Sequence, residues 1–194
     1  MAHRAGAAIQ GKTAKGKQGP PKATFKLRRR TKRWLRWALV MVAAGIAGLF
    51  FYQRASNLPG TYVPSLGNAH IQSATEPHQA YNSNPPTSGP HLPWIAPWGI
   101  HTARVPEELQ VHNLEDGGAV VQYNCPAGCP QLVEQLKAVV RRYETSVILA
   151  PYPGMDRRIA LTAWSRIDTF DEFDEKRIVR FIDAYRGIDH HARR

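Results

Sequence analysis

The residues best suited to chemistry in this chain are His70, His91, His112, Glu115 and Asp116. Neutral imidazole and carboxylate are the usual protein ligands of zinc and copper. His112, Glu115 and Asp116 bring three such groups into one short segment, and His70 and His91 complete a site if the chain before them folds over it. Glu115 would then bind directly or support a ligand. The expectation is a site that holds copper or zinc and catalyses nothing, with no catalytic residue assigned. The competing reading is structural, because an imidazole in irregular chain can satisfy buried carbonyls that have no ladder partner. His78 and the terminal His190-His191 have no informative spacing and are expected to be solvated.

Two sulfurs form a second centre, Cys125-Pro-Ala-Gly-Cys129, between a predicted strand and the start of a predicted helix. A helix N-terminus lowers a thiol pKa, which suits redox or copper(I) chemistry. The plainer reading is a local disulfide that clamps the turn. If the thiols joined the histidines, they would favour copper over zinc.

The elements that must position these groups follow from charge and hydropathy. Residues 1 to 36 carry twelve of the 26 Lys and Arg and none of the 15 acids, which leaves 14 basic residues against 15 acidic ones in the rest of the chain. The net charge of +11 is therefore a property of the tail, and it argues against nucleic acid as the partner. An uncharged run, Trp37 to Tyr52, follows directly, with Trp34, Trp37 and Tyr52 at its two ends. That pattern predicts a single transmembrane helix over residues 37 to 53 with the lipid bilayer as partner. A cleaved signal peptide is disfavoured, since Tyr52-Gln-Arg-Ala55 makes a poor cleavage site. The excess of cations before the span puts the N-terminus in the cytoplasm and residues 54 to 194 outside.

That outer part divides by composition. Residues 54 to 110 are rich in proline, including Pro85-Pro86, Pro90, Pro93 and Pro97, so they form a loop-rich wrap rather than regular elements. Residues 111 to 187 carry regular signals. Ala119–Tyr123, Ser146–Ala150 and Ile159–Trp164 read as strands, and Pro130 to Tyr143 reads as a helix with Leu132, Leu136, Val139 and Val140 on one face. A last helix runs from about Asp171 to Tyr185, opened by the capping box Thr169-Phe-Asp-Glu172. Residues 188 to 194 are a tail. The expected class is α+β: a small mixed sheet in the order strand, helix, strand, strand, helix, preceded by the wrap and the membrane helix.

Pro85-Pro-Thr-Ser-Gly-Pro-His91, then Val111-His-Asn-Leu-Glu-Asp-Gly-Gly118, then Ala160-Leu-Thr-Ala-Trp164 and a final amphipathic helix resemble a bacterial family of membrane-anchored domains of unknown function. The resemblance covers roughly residues 57 to 187. It implies the architecture and an interest in the histidines, without naming a reaction. The family usually reads His-Asn-Leu-Glu-His-Gly-Gly, whereas this chain has Asp116 at the second histidine. The family's His-x-x-Glu-His has the spacing of inverted zinc-peptidase motifs, but those lie within a helix. Here Gly117-Gly118 is expected to end the segment at once, and Asp116 removes an imidazole. Two rivals to metal binding stand beside it. One is an accessory or assembly subunit that docks another membrane protein through Trp94 and Trp98, and the other is a thiol-disulfide redox protein working through Cys125 and Cys129.

Overall fold

The structure, a computed structural model, describes residues 29–191. Most of the basic tail and the last three residues lie outside the described residues. Two compact units divide at residue 52. Among the described residues, the first consists of most of one long helix, α1 (Arg29–Ser56). Its stretch Thr31–Gln53 is long and apolar enough to cross a membrane.

The second unit is α+β, the expected class. Its elements are β1 (Thr61–Tyr62), β2 (Gly99–Ile100), α2 (Glu107–Glu115), β3 (Ala119–Tyr123), α3 (Pro130–Val140), β4 (Val147–Pro151), β5 (Ile159–Ala163), β6 (Arg166–Phe170) and α4 (Glu175–Tyr185). The five expected elements are β3, α3, β4, β5 and α4, in the expected order. The strands β1, β2 and β6 and the helix α2 join them. The sheet runs β1-β6-β5-β3-β4-β2, with β3 parallel to β4 and antiparallel to β5.

Period-two alternation assigns the two faces. Ala119, Val121, Leu149, Leu161 and Ala163 point into one core with Leu132, Leu136, Val139 and Val140 of α3 and Ile178, Phe181, Ile182 and Tyr185 of α4. Val120, Ile148 and Ala150 point to the other face, where Leu114 of α2 and Ala96 and Val105 of the wrap cover them. The sheet is thus sandwiched, and α2, which carries His112 and Glu115, packs on the second face through Leu114.

Two local expectations are corrected. The Thr169 capping box does not open α4, because Thr169 and Phe170 are taken by the β6 ladder opposite Ala160 and Ile159. Asp174 caps the helix instead, its Oδ1 accepting from the Arg177 amide at 3.0 Å. The segment holding His112 and Glu115 is a helix. Gly117-Gly118 ends it only after both residues are placed in its last turn.

Candidate metal centre

Four segments converge on one spot. The Pro-rich wrap supplies His70 and His91, which face each other across a parallel bridge: the His91 amide donates to Ala69 O at 3.0 Å and the Ile71 amide to His91 O at 2.8 Å. α2 supplies His112 and Glu115. The two-residue turn between β5 and β6 presents Trp164, and the chain after α4 brings His190 and His191.

The wrap holds its shape through fixed polar contacts. Ser88 Oγ accepts from the Leu66 amide at 3.0 Å, and Thr87 O accepts from the Ser165 amide at 3.1 Å. Gly89 sits at φ +124°, a conformation open to glycine, with the Tyr81 ring where a Cβ would point. Its carbonyl is thereby aimed at Nδ1 of His91, 2.7 Å away. Asn113 binds both sides of one wrap residue, its Oδ1 accepting from Ala96 N and its Nδ2 donating to Ala96 O, each at 2.9 Å.

Within this frame three imidazoles form a near-regular triangle. Ring centroids are 5.0 Å apart for His70 and His91, 5.1 Å for His91 and His112, and 5.3 Å for His70 and His112. Glu115 closes the group: its Oε2 is 2.9 Å from His91 Nε2 and 3.9 Å from His70 Nε2. One ligand atom from each of the four lies within 4.8 Å of every other. The edge of a tetrahedron with metal–ligand bonds of about 2.0–2.1 Å is about 3.3 Å, which lies between the 2.9 and 3.9 Å separations of Glu115 Oε2 from His91 and His70.

The surrounding bonds orient the donors. Nδ1 of His91 faces Gly89 O and Nδ1 of His112 faces Leu92 O, both at 2.7 Å. A carbonyl can only accept, so each Nδ1 carries a proton and each Nε2 is the ring nitrogen turned inward. Asn68 Nδ2 donates to Glu115 Oε1 at 2.7 Å, leaving Oε2 for the centre. Backbone carbonyls behind histidines and an amide behind a carboxylate are the usual supports of metal ligands.

Electrostatics point the same way. The Glu115 side chain is 1% exposed and His91 is fully buried. Among the described residues, the ion-pair partners of Glu115 are His70, His91 and His191, with no Lys or Arg. Burial pushes the His91 pKa below its ordinary value, although Gly89 O and Glu115 pull it upward. The last turn of α2 adds the partial negative charge of a helix C-terminus, which favours a cation.

The sequence-predicted residues separate as follows. His70, His91, His112 and Glu115 are together, and Asp116 lies on the rim, with Oδ1 3.7 Å from His112 Nε2. Cys125 and Cys129 are bonded to each other and pack against the α3/α4 core, so the thiols do not join the histidines. His190 and His191 are not free solvated groups. His190 stacks on Trp164, its ring centroid 5.9 Å away, and His191 Nε2 is 3.4 Å from Glu115 Oε2. Their signal was the glycine pair: Gly117 O accepts from the Gly187 amide at 2.7 Å, and a Cβ on Gly117 would strike the Ile188 backbone. Of the two wrap tryptophans, Trp98 packs against the second-face core and Trp94 is exposed.

The chain belongs to the family described as "Protein of unknown function (DUF3105)", whose model matches residues 71–193. No curated protein and no solved structure matches it.

Proposed function

We propose that this member of a family without an assigned activity is a membrane-anchored, extracytoplasmic domain that binds one transition-metal ion, copper(II) or zinc, through His70, His91, His112 and Glu115. The observation that carries the reading is the 2.9 Å contact between His91 Nε2 and Glu115 Oε2 while His91 Nδ1 is committed to Gly89 O. Two lone pairs at that distance need a proton or a metal ion to share, and burial disfavours the imidazolium that would place the proton on His91. Nitrogen and oxygen donors without sulfur suit zinc or copper(II) rather than copper(I). Three imidazoles and a carboxylate fill a four-coordinate set, which fits holding a metal better than activating water on it.

The placement rests on the charge asymmetry around the apolar helix and on the Cys125–Cys129 disulfide, a bond suited to an oxidising compartment. The experiment is a titration of the full chain in detergent with zinc or copper(II) against a chromophoric chelator, beside the His112→Ala variant. One equivalent bound by the wild type and lost in the folded variant is expected. A wild type that leaves all metal on the chelator down to micromolar affinity overturns the proposal.

A further inference from the structure

His112 belongs to two donor sets. One is the inner set with the buried His91 and Glu115 and with His70, whose side chain is 44% exposed, and the other is an outer set with Asp116 and His191, whose ligand atoms also lie within 4.8 Å of one another. The outer pair is accessible, Asp116 being 33% and His191 43% exposed at the side chain. The buried pair, His91 and Glu115, is not. His191 is held in place without help from the inner histidines. Its Nδ1 is 2.7 Å from Asp189 Oδ1 and 3.7 Å from Asp116 Oδ1, and the preceding His190 amide donates to Glu115 O at 2.8 Å. Its Nε2 reaches inward to within 3.4 Å of Glu115 Oε2.

Because His112 Nδ1 is committed to Leu92 O, only its Nε2 can ligate, and one lone pair holds one ion. The two sets therefore cannot be filled together. We infer that Asp116 and His191, with His112, form a transfer position through which the ion passes to and from the buried His91 and Glu115 of the inner set. This rests on the metal-binding reading above. The ion first exchanges water for His112, Asp116 and His191 while keeping one water as its fourth ligand, and then, with His112 retained, exchanges Asp116, His191 and that water for Glu115, His91 and His70. No step changes its charge, and each bond to a departing ligand is replaced by one to an arriving ligand.

The test is stopped-flow loading of the full chain in detergent with copper(II), followed by removal with excess EDTA, for the wild type and the Asp116→Asn/His191→Ala double variant. Both changes lie on the rim and remove none of the four inner ligands. Quenching of tryptophan fluorescence follows copper uptake and loss, Trp164 lying 6.3 Å from the His91 ring. The expected result is one copper per chain in both proteins, with loading and removal both slowed tenfold or more in the variant. Equal rates overturn the inference, as does a variant that no longer holds copper, since Asp116 and His191 would then be ordinary ligands. Two coppers per wild-type chain also overturn it. A wild type that takes up no copper fails at the earlier step and removes the metal-binding reading itself.

Discussion

Nε2 of His91 and Oε2 of Glu115 meet at 2.9 Å in a fully buried spot, while the other atom of each group is already bonded, Nδ1 to Gly89 O and Oε1 to Asn68 Nδ2. Each partner is thus oriented by a contact that does no ligating. Support of this kind, when removed, typically costs about 10–100-fold in metal affinity. Asn68→Ala is expected to weaken zinc binding by about that factor while the stoichiometry stays at one, read by chelator competition. An unchanged affinity would show that Asn68 does not position the carboxylate.

A metal that binds only the folded chain must stabilise it. With free zinc at about 100 times Kd the gain is about 2.7 kcal/mol, on the order of 5–10 °C in melting temperature for a domain of this size. Differential scanning fluorimetry with and without zinc checks this, and His112→Ala is expected to lose the shift.

Acidification acts on the metal-free protein through His91. Its folded pKa is depressed by burial, so between that value and the ordinary 6.5 the unfolded chain binds the proton and the folded chain does not. The His91 contribution to stability is therefore expected to be flat above about pH 7 and to fall as pH drops below about 6.5, until the folded pKa is passed; His190, also lowered by burial, adds to the fall, and the exposed His191, raised by Asp189, opposes it. Urea midpoints measured with EDTA present at pH 7.5 and 5.5 test the sign. A higher midpoint at pH 5.5 would mean that Glu115 holds His91 as imidazolium.

The α+β class and five elements of the second unit were legible in the sequence, because Leu132, Leu136, Val139 and Val140 and the Ile178 to Tyr185 stripe follow the period of the buried faces. The short edge strands β1 and β2 left no period to read. α2 was hidden because all of its last six residues are buried, polar ones included, so no polar face alternates with an apolar one. His70, His91, His112 and Glu115 were legible as residue types. Their proximity was not, since it depends on the His70/His91 bridge and on Asn113 binding Ala96. The terminal His191 was misread as solvated because nothing in its own neighbourhood reveals that Gly117 seats the segment before it.

That seat can be tested. Gly117 has φ +78°, and an added Cβ would lie 2.7 Å from the Ile188 backbone. Gly117→Ala is expected to cost about 1–3 kcal/mol and to displace His190 from Trp164. A denaturation curve and the Trp164 environment, read by fluorescence, should change together.

The disulfide and the histidines occupy opposite faces of the sheet, so the two chemistries should separate. Cys125→Ser/Cys129→Ser is expected to lower stability and leave zinc stoichiometry and affinity unchanged, measured by the same chelator competition. Loss of metal in the folded double variant would place sulfur in the site and contradict the ligand set.

The ligand set itself is tested most directly by X-ray absorption at the metal edge of the loaded full chain. Four nitrogen or oxygen neighbours at about 2.0–2.1 Å, with the outer-ring scattering of three imidazoles, is the expected spectrum. Sulfur at about 2.3 Å, or a spectrum of hydrated metal without imidazole, would contradict it.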